Sequence, residues 1–119
     1  MMTVIKIKRA YEEPGPEDGR RILVDKFWPR GLSKEDAKID AWLKEIAPSD
    51  SLREDFHESH DFSSFKSRYK KQLQADIRQE ACRKILAQAQ EGHVTLVFSS
   101  RNEEENNAVV LKEFLEIMG

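Results

Sequence analysis

The chain lacks a second cysteine. Cys82 stands alone among 119 residues, which excludes an internal disulfide and any multi-cysteine metal site. Long apolar runs are missing, so no membrane-spanning helix is expected, and the opening Met-Met-Thr-Val-Ile-Lys has no signal-peptide core. Charge of one sign is missing too. The 20 basic residues nearly cancel the 22 acidic ones, for a formal net charge of −2, so specific nucleic-acid binding is not expected. No glycine-rich loop is present to cradle a phosphate, and no cofactor is expected. What is present is 39% hydrophobic residues, including two Trp and six Phe, beneath a surface supplied by 35% charged residues. That mixture fits one compact cytoplasmic domain over residues 1–119.

Charge is uneven along the chain. Residues 62–90 carry Lys66, Arg68, Lys70, Lys71, Arg78, Arg83 and Lys84 against Asp76 and Glu80, whereas 50–61 and 91–119 are acidic. The basic stretch reads first as a solvated helical face and second as a surface for an acidic partner.

Hydrophobic periodicity supplies the elements. Thr3 to Lys8 alternates with β-branched residues and reads as a strand. Arg21 to Lys26 is a short apolar run ending on Asp25, suited to a strand buried on both faces. Trp28-Pro29-Arg30-Gly31 then breaks the pattern. Ser33 suits a cap on one helical turn. Ile39 to Ile46 reads two ways: Ile39, Trp42, Leu43 and Ile46 form a helical stripe, while Ile39, Ala41 and Leu43 alternate. Ser49 or Asp50 is expected to cap a helix through about Phe56, and Asp61 one carrying Phe62, Phe65, Tyr69 and Leu73. Asp76 with Gln79 resembles a capping box, opening a helix to about Gln90 with Ile77, Ala81, Ile85, Leu86 and Ala89 as its apolar stripe. Val94 to Phe98 is the clearest strand, and Asn102 with Glu105 is expected to cap the last helix. Strands separated by helices and loops predict a small α/β domain, with a mostly parallel sheet of about four strands flanked by helices.

In such folds ligands settle at the C-terminal strand edge, where loops converge. Asp25 leaves a buried strand there, and its carboxylate needs a partner: a turn, Arg30 or Arg101. Trp28 offers an aromatic surface beside Arg30, whose planar fork matches a carboxylate or phosphate. Arg101 and Asn106 belong to the last strand-to-helix junction, where backbone N–H groups can receive an anion. His57 and His60 sit among acids, but their spacing matches no metal motif, and His57 is read as a proton carrier. No metal site is expected. Cys82 lies in an amphipathic helix and reads as an inert small residue.

Several uncommon blocks occur in order: Glu17-Asp18-Gly19, Leu23-Val24-Asp25, Trp28-Pro29-Arg30-Gly31, Ala47-Pro48-Ser49 and the final junction Val94 to Asn107. Together they resemble the YeaO-like branch of the domain-of-unknown-function family 488 over nearly the whole chain. The resemblance implies a compact α/β domain with Ile39 to Ile46 extended, and it carries no established reaction. Lys26 stands where that branch usually has Arg, and two histidines common at its last junction are absent here.

The leading expectation is a small anionic ligand held at the C-terminal sheet edge, with enzymatic use of the site left open. Arg30, Arg101 and Asn106 would hold the ligand, Trp28 would form an apolar wall, and Asp25 and His57 would supply acid–base capability. The alternative is a non-catalytic interaction or regulatory module that turns the basic 62–90 region toward an acidic partner or nucleic acid.

Overall fold

A computed structural model describes residues 4–119; Thr3, where the expected first strand begins, lies outside the described residues with Met1 and Met2. Four strands, β1 (Ile5–Arg9), β2 (Arg20–Leu23), β3 (Ala41–Trp42) and β4 (Val94–Phe98), form one sheet in the order β1-β4-β2-β3. Every pairing is parallel, with Ile7 and Ile22 both opposite Leu96. The strand latest in sequence lies between β1 and β2 because all five of its residues are buried, as a central parallel strand requires. Its one polar side chain, Thr95, donates its hydroxyl to the Asp18 carbonyl at 2.7 Å.

The two faces of the sheet are covered differently. Ile5, Ile22, Val24, Val94, Leu96 and Phe98 pack against α2 (Asp50–Ser59), α3 (Phe62–Leu73), α4 (Asp76–Glu91) and α5 (Asn107–Met118). On the other face Ala10, Leu23 and Val97 are covered by Trp28, Leu32, Ile39 and Trp42, carried by the segments around the short α1 (Lys34–Ala37). Trp28 meets Trp42 edge-on with centroids 5.5 Å apart. That face also buries charge. Arg21 donates to the Asp18 carboxylate at 2.7 Å and twice to the Ala37 carbonyl, and Lys8 approaches Asp18 from β1 at 3.1 Å. Gly19, at φ 65°, links this corner to β2; a side chain there would strike the His93 carbonyl.

The helical layer is anchored by Tyr69, which is fully buried and donates its hydroxyl to the Ile46 carbonyl at 2.6 Å. Burial also raises its phenol pKa, so it remains a donor throughout the stable pH range. Tyr69→Phe is expected to lose about 1–2 kcal/mol, since it strands a buried acceptor. The urea midpoint measures this, and an unchanged midpoint would refute the anchor.

Several local expectations require correction. Ile39 to Ile46 is neither a full helix nor a full strand: two residues pair as β3, and Lys44–Ile46 then form a 3-10 turn. The helical spacing arises because Ile46 faces the helical layer while Trp42 faces the opposite one. Ile77 is 63% exposed and leaves the α4 stripe, which Ala81, Cys82, Ile85 and Ala89 fill. Asp76 is the first helical residue, and no side chain caps α4. The cap of α5 is Asn106 rather than Asn102. Among the described residues no helix is long and apolar enough to cross a membrane.

Candidate functional site

The chain leaves β2 and β4 side by side, and Asp25 joins their exits. Its Oδ2 accepts the Ser99 N–H at 2.9 Å and the Ser99 hydroxyl at 2.7 Å, while Oδ1 accepts the Asn107 amide at 3.0 Å. The Asn107 amide also donates to the Val24 carbonyl at 3.2 Å, so α5 begins tied to the end of β2. Asp25 therefore meets its need for partners with neutral donors and makes no ion pair among the described residues. Asn106 is 2% exposed; its Oδ1 accepts the Val109 N–H and its Nδ2 donates to the Asn102 carbonyl.

Above this junction opens a cavity of about 590 Å³. Asp25, Ser99 and Asn107 contribute to one part of its lining, and Arg53, Phe56, His57 and His60 of α2 to another. Arg53, Phe56 and His57 recur at i, i+3 and i+4 on one helix face, and His60 follows at the helix's C-terminal cap. The helix reaches that far because Ser49 caps its start, accepting the Leu52 N–H, and His60 ends it in the left-handed conformation at φ 57°. Phe27, Trp28, Arg30 and Tyr11 also line it, as do Glu105 and Asn106 before α5.

The cavity's cations are unequally satisfied. Lys26 is paired with Asp50 at 2.6 Å, and this hydrogen bond from the ammonium holds the Asp50 carboxyl below its usual value. Arg53 reaches the same carboxylate only at 3.6 Å, and its Nη1 is buried without an acceptor among the described residues. Its guanidinium lies against the Phe27 ring, 4.9 Å from the centroid. Arg30 is exposed and its side chain makes no hydrogen bond or ion pair among the described residues, while its carbonyl accepts the Tyr11 hydroxyl at 2.8 Å. A second cavity of about 610 Å³, bounded by Trp42, Lys44 and Arg78, shares Lys26, Phe27, Trp28, Ala47 and Pro48 with the first.

Of the residues singled out from sequence, Asp25, Trp28, Arg30, His57 and Asn106 all line this cavity, and Arg101 does not. Arg9 donates to the carbonyls of Ser100 and Ser99, fixing the loop while Arg101 stays exposed at its tip. Trp28 is part wall and part plug, since its indole donates to the Leu32 carbonyl at 2.6 Å. Sequence reasoning gave Arg53 and Asn107 no role of their own at the site. Arg53 carried a signal, four residues before His57 on a helix with a clear cap. Asn107 carried none, because its role depends on a contact 82 positions away.

Neither a thiol nor a metal-ligand set belongs to the cavity among the described residues. Cys82 is buried in α4, and burial pushes its thiol pKa up to about 11, which keeps it protonated and unreactive. No three His, Cys, Asp or Glu side chains gather as a metal-ligand set among the described residues. The cations of 62–90 are largely engaged: Lys66 and Lys70 hold Glu113, Arg68 meets Asp55, Arg83 meets Glu80, and Arg78 donates to the Ala47 carbonyl. The two lysines keep the Glu113 carboxyl below its usual pKa.

A family profile described as the inactive DUF488-N3 subclade matches residues 4–118. The chain is 41% identical over 112 residues to the uncharacterised protein YeaO of Escherichia coli, covering 93% of this chain and 96% of that one. It is 36% identical over 114 residues to the uncharacterised protein Rv3073c of Mycobacterium tuberculosis, covering 95% and 94% respectively. No solved structure matches significantly. With the profile spanning almost its entire length, the chain belongs to the DUF488-N3i family, the inactive DUF488-N3 subclade.

Proposed function

We propose that the protein binds a small anionic ligand in the cavity at the C-terminal edge of its sheet. The observation that carries this reading is the unused donor capacity of the cations there. Arg30 has no side-chain partner among the described residues, and Arg53 has a buried Nη1 with no acceptor. A buried unpaired donor is costly, and an anionic oxygen is the acceptor that best matches a guanidinium. Arg53 thus takes the place that sequence reasoning assigned to Arg101, with Arg30 as the second cation. His57 lines the same cavity and offers its imidazole as a further polar contact for the ligand. Asp25 positions the loops, because its oxygens already serve Ser99 and Asn107. The family's description as inactive supports binding without turnover. The engaged cations of α3 and α4 give the alternative of a basic docking face less support.

A thermal-shift titration with inorganic phosphate and simple carboxylates tests the reading. A ligand present at about 100 times its Kd adds roughly 2.7 kcal/mol to native-state stability, a rise of several degrees in Tm. Arg53→Gln is expected to weaken that ligand by about tenfold or more while leaving the unliganded protein folded, since losing a charged hydrogen bond costs about 1.5–3 kcal/mol. Saturable binding that Arg53→Gln does not alter would refute this site.

A further inference from the structure

The exposed aromatic at the rim of this cavity specifies more than charge. Phe27 is 61% exposed, the most exposed of the cavity's aromatic side chains, and it belongs to neither hydrophobic cluster of the fold. The other rings have work elsewhere. Phe65 and Phe56 stack on each other at 4.6 Å in the helical layer, Trp28 packs on Trp42, and Tyr11 is tied through its hydroxyl. Phe27 also borders the second cavity, so it stands where the two spaces meet. Two cations lie over its ring, Arg53 at 4.9 Å and Lys26 at 5.5 Å from its centroid.

Resting on the anion-binding reading above, we infer that the ligand carries a planar aromatic or heteroaromatic ring beside its acidic group, and that Phe27 contacts that ring. The argument is one of adjacency. The same guanidinium whose Nη1 lacks an acceptor lies against Phe27, so a ring packed on Phe27 places an acidic substituent next to Arg53. A compact anion such as phosphate would satisfy the cation but leave the apolar surface of Phe27 in water. A ring with an attached phosphate or carboxylate satisfies both, and the edge or free surface of Phe27 accommodates offset or edge-to-face contact. Two rims of cavity meeting at Phe27 give such a ligand room to extend toward Trp42.

Binding of inorganic phosphate, phenyl phosphate and benzyl alcohol, measured by calorimetry on the intact chain, separates the two claims. Phenyl phosphate is expected to bind roughly tenfold tighter than inorganic phosphate, the increment typical of one aromatic stacking contact. Phe27→Ala is expected to bring the ratio of the two affinities toward one, and Phe27→Leu to restore part of it. Equal affinities in the wild type, or a ratio unchanged in Phe27→Ala, would overturn the aromatic ligand and leave the anion site standing. Benzyl alcohol binding as tightly as phenyl phosphate would support the ring contact and overturn the anion reading. No binding of any of the three would overturn both.

Discussion

Replacing Asp18 with alanine is expected to cost about 3–5 kcal/mol of folding stability, the range for removing one partner of a buried ion pair. Asp18 and Arg21 are 4% and 3% exposed, on the sheet face opposite the main helices. The Asp18 carboxylate accepts from Arg21 at 2.7 Å, Lys8 at 3.1 Å and the Gly15 N–H at 3.1 Å, so its loss leaves a guanidinium buried without its counter-charge. The Ala37 carbonyl still accepts two of the Arg21 donors, which satisfies hydrogen bonding but not charge. Domains of this kind are stable by only about 5–15 kcal/mol, so a single substitution here removes a large share. Urea unfolding of both proteins measures the loss, and a loss under about 1 kcal/mol would show the pair to be dispensable. Acid adds a second readout. Burial pushes the Asp18 carboxyl up, but the Gly15, Lys8 and Arg21 hydrogen bonds outweigh it and leave the pKa below 3.8. The unfolded state then binds the proton more readily, so this contribution is fully present above about pH 4 and is lost as pH falls through the lowered native value. Between pH 5 and 3 the urea midpoint should fall more steeply in the wild type than in Asp18→Asn. Parallel falls would assign the acid sensitivity to other carboxylates.

This buried pair illustrates what a sequence conceals. Asp18-Gly19 reads as a turn, and Arg21 reads as the outer end of a strand, because neither spacing nor composition reveals that the sheet's second face is covered by loops. Where an element is specified locally, the sequence was legible: Asp61 caps α3 and accepts the Ser64 N–H, and Phe65, Tyr69 and Leu73 of its apolar stripe are buried. The family 488 resemblance and the parallel α/β class were legible for the same reason, since both rest on ordered local blocks. Competition between equivalent signals was not legible. Asn102 and Asn106 both qualify as caps, and Asn102 does accept the N–H groups of Glu104 and Glu105. The helix starts at Asn107 because that side chain must reach Asp25, a contact fixed only once β2 and β4 are adjacent. The second half of the candidate site was missed through one boundary. With α2 ended near Phe56, His57 and His60 fall in a loop; with the helix continued to Ser59, His57 aligns with Arg53 and His60 becomes the cap beside it. Its end falls on His60, in a left-handed conformation that glycine or asparagine more often marks.

Asp25→Ala, the second large effect, is expected to lower stability by about 2–4 kcal/mol, with Asp25→Asn falling between it and the wild type. Alanine deprives the Ser99 N–H, the Ser99 hydroxyl and the Asn107 amide of their shared acceptor. Hydrogen bonds to a charged group are worth about 1.5–3 kcal/mol each, but three at one carboxylate do not add, and water reaches this half-buried junction. Asparagine keeps one oxygen for Ser99 and turns an amide toward Asn107, donor against donor. Asn107 relieves that conflict only by rotating its own amide, which gives up the bond to the Val24 carbonyl. The predicted order of Tm is therefore wild type, then Asn, then Ala, accompanied by a shifted Ser99 amide resonance in both variants. Phosphate affinity should fall in that same order, because the carboxylate acts on the cavity by holding its floor in register. Were Asp25 instead a proton-transfer group with no positioning role, both variants would keep wild-type Tm and an unshifted Ser99 resonance. That result would return Asp25 to the acid–base role its place at the strand end suggests.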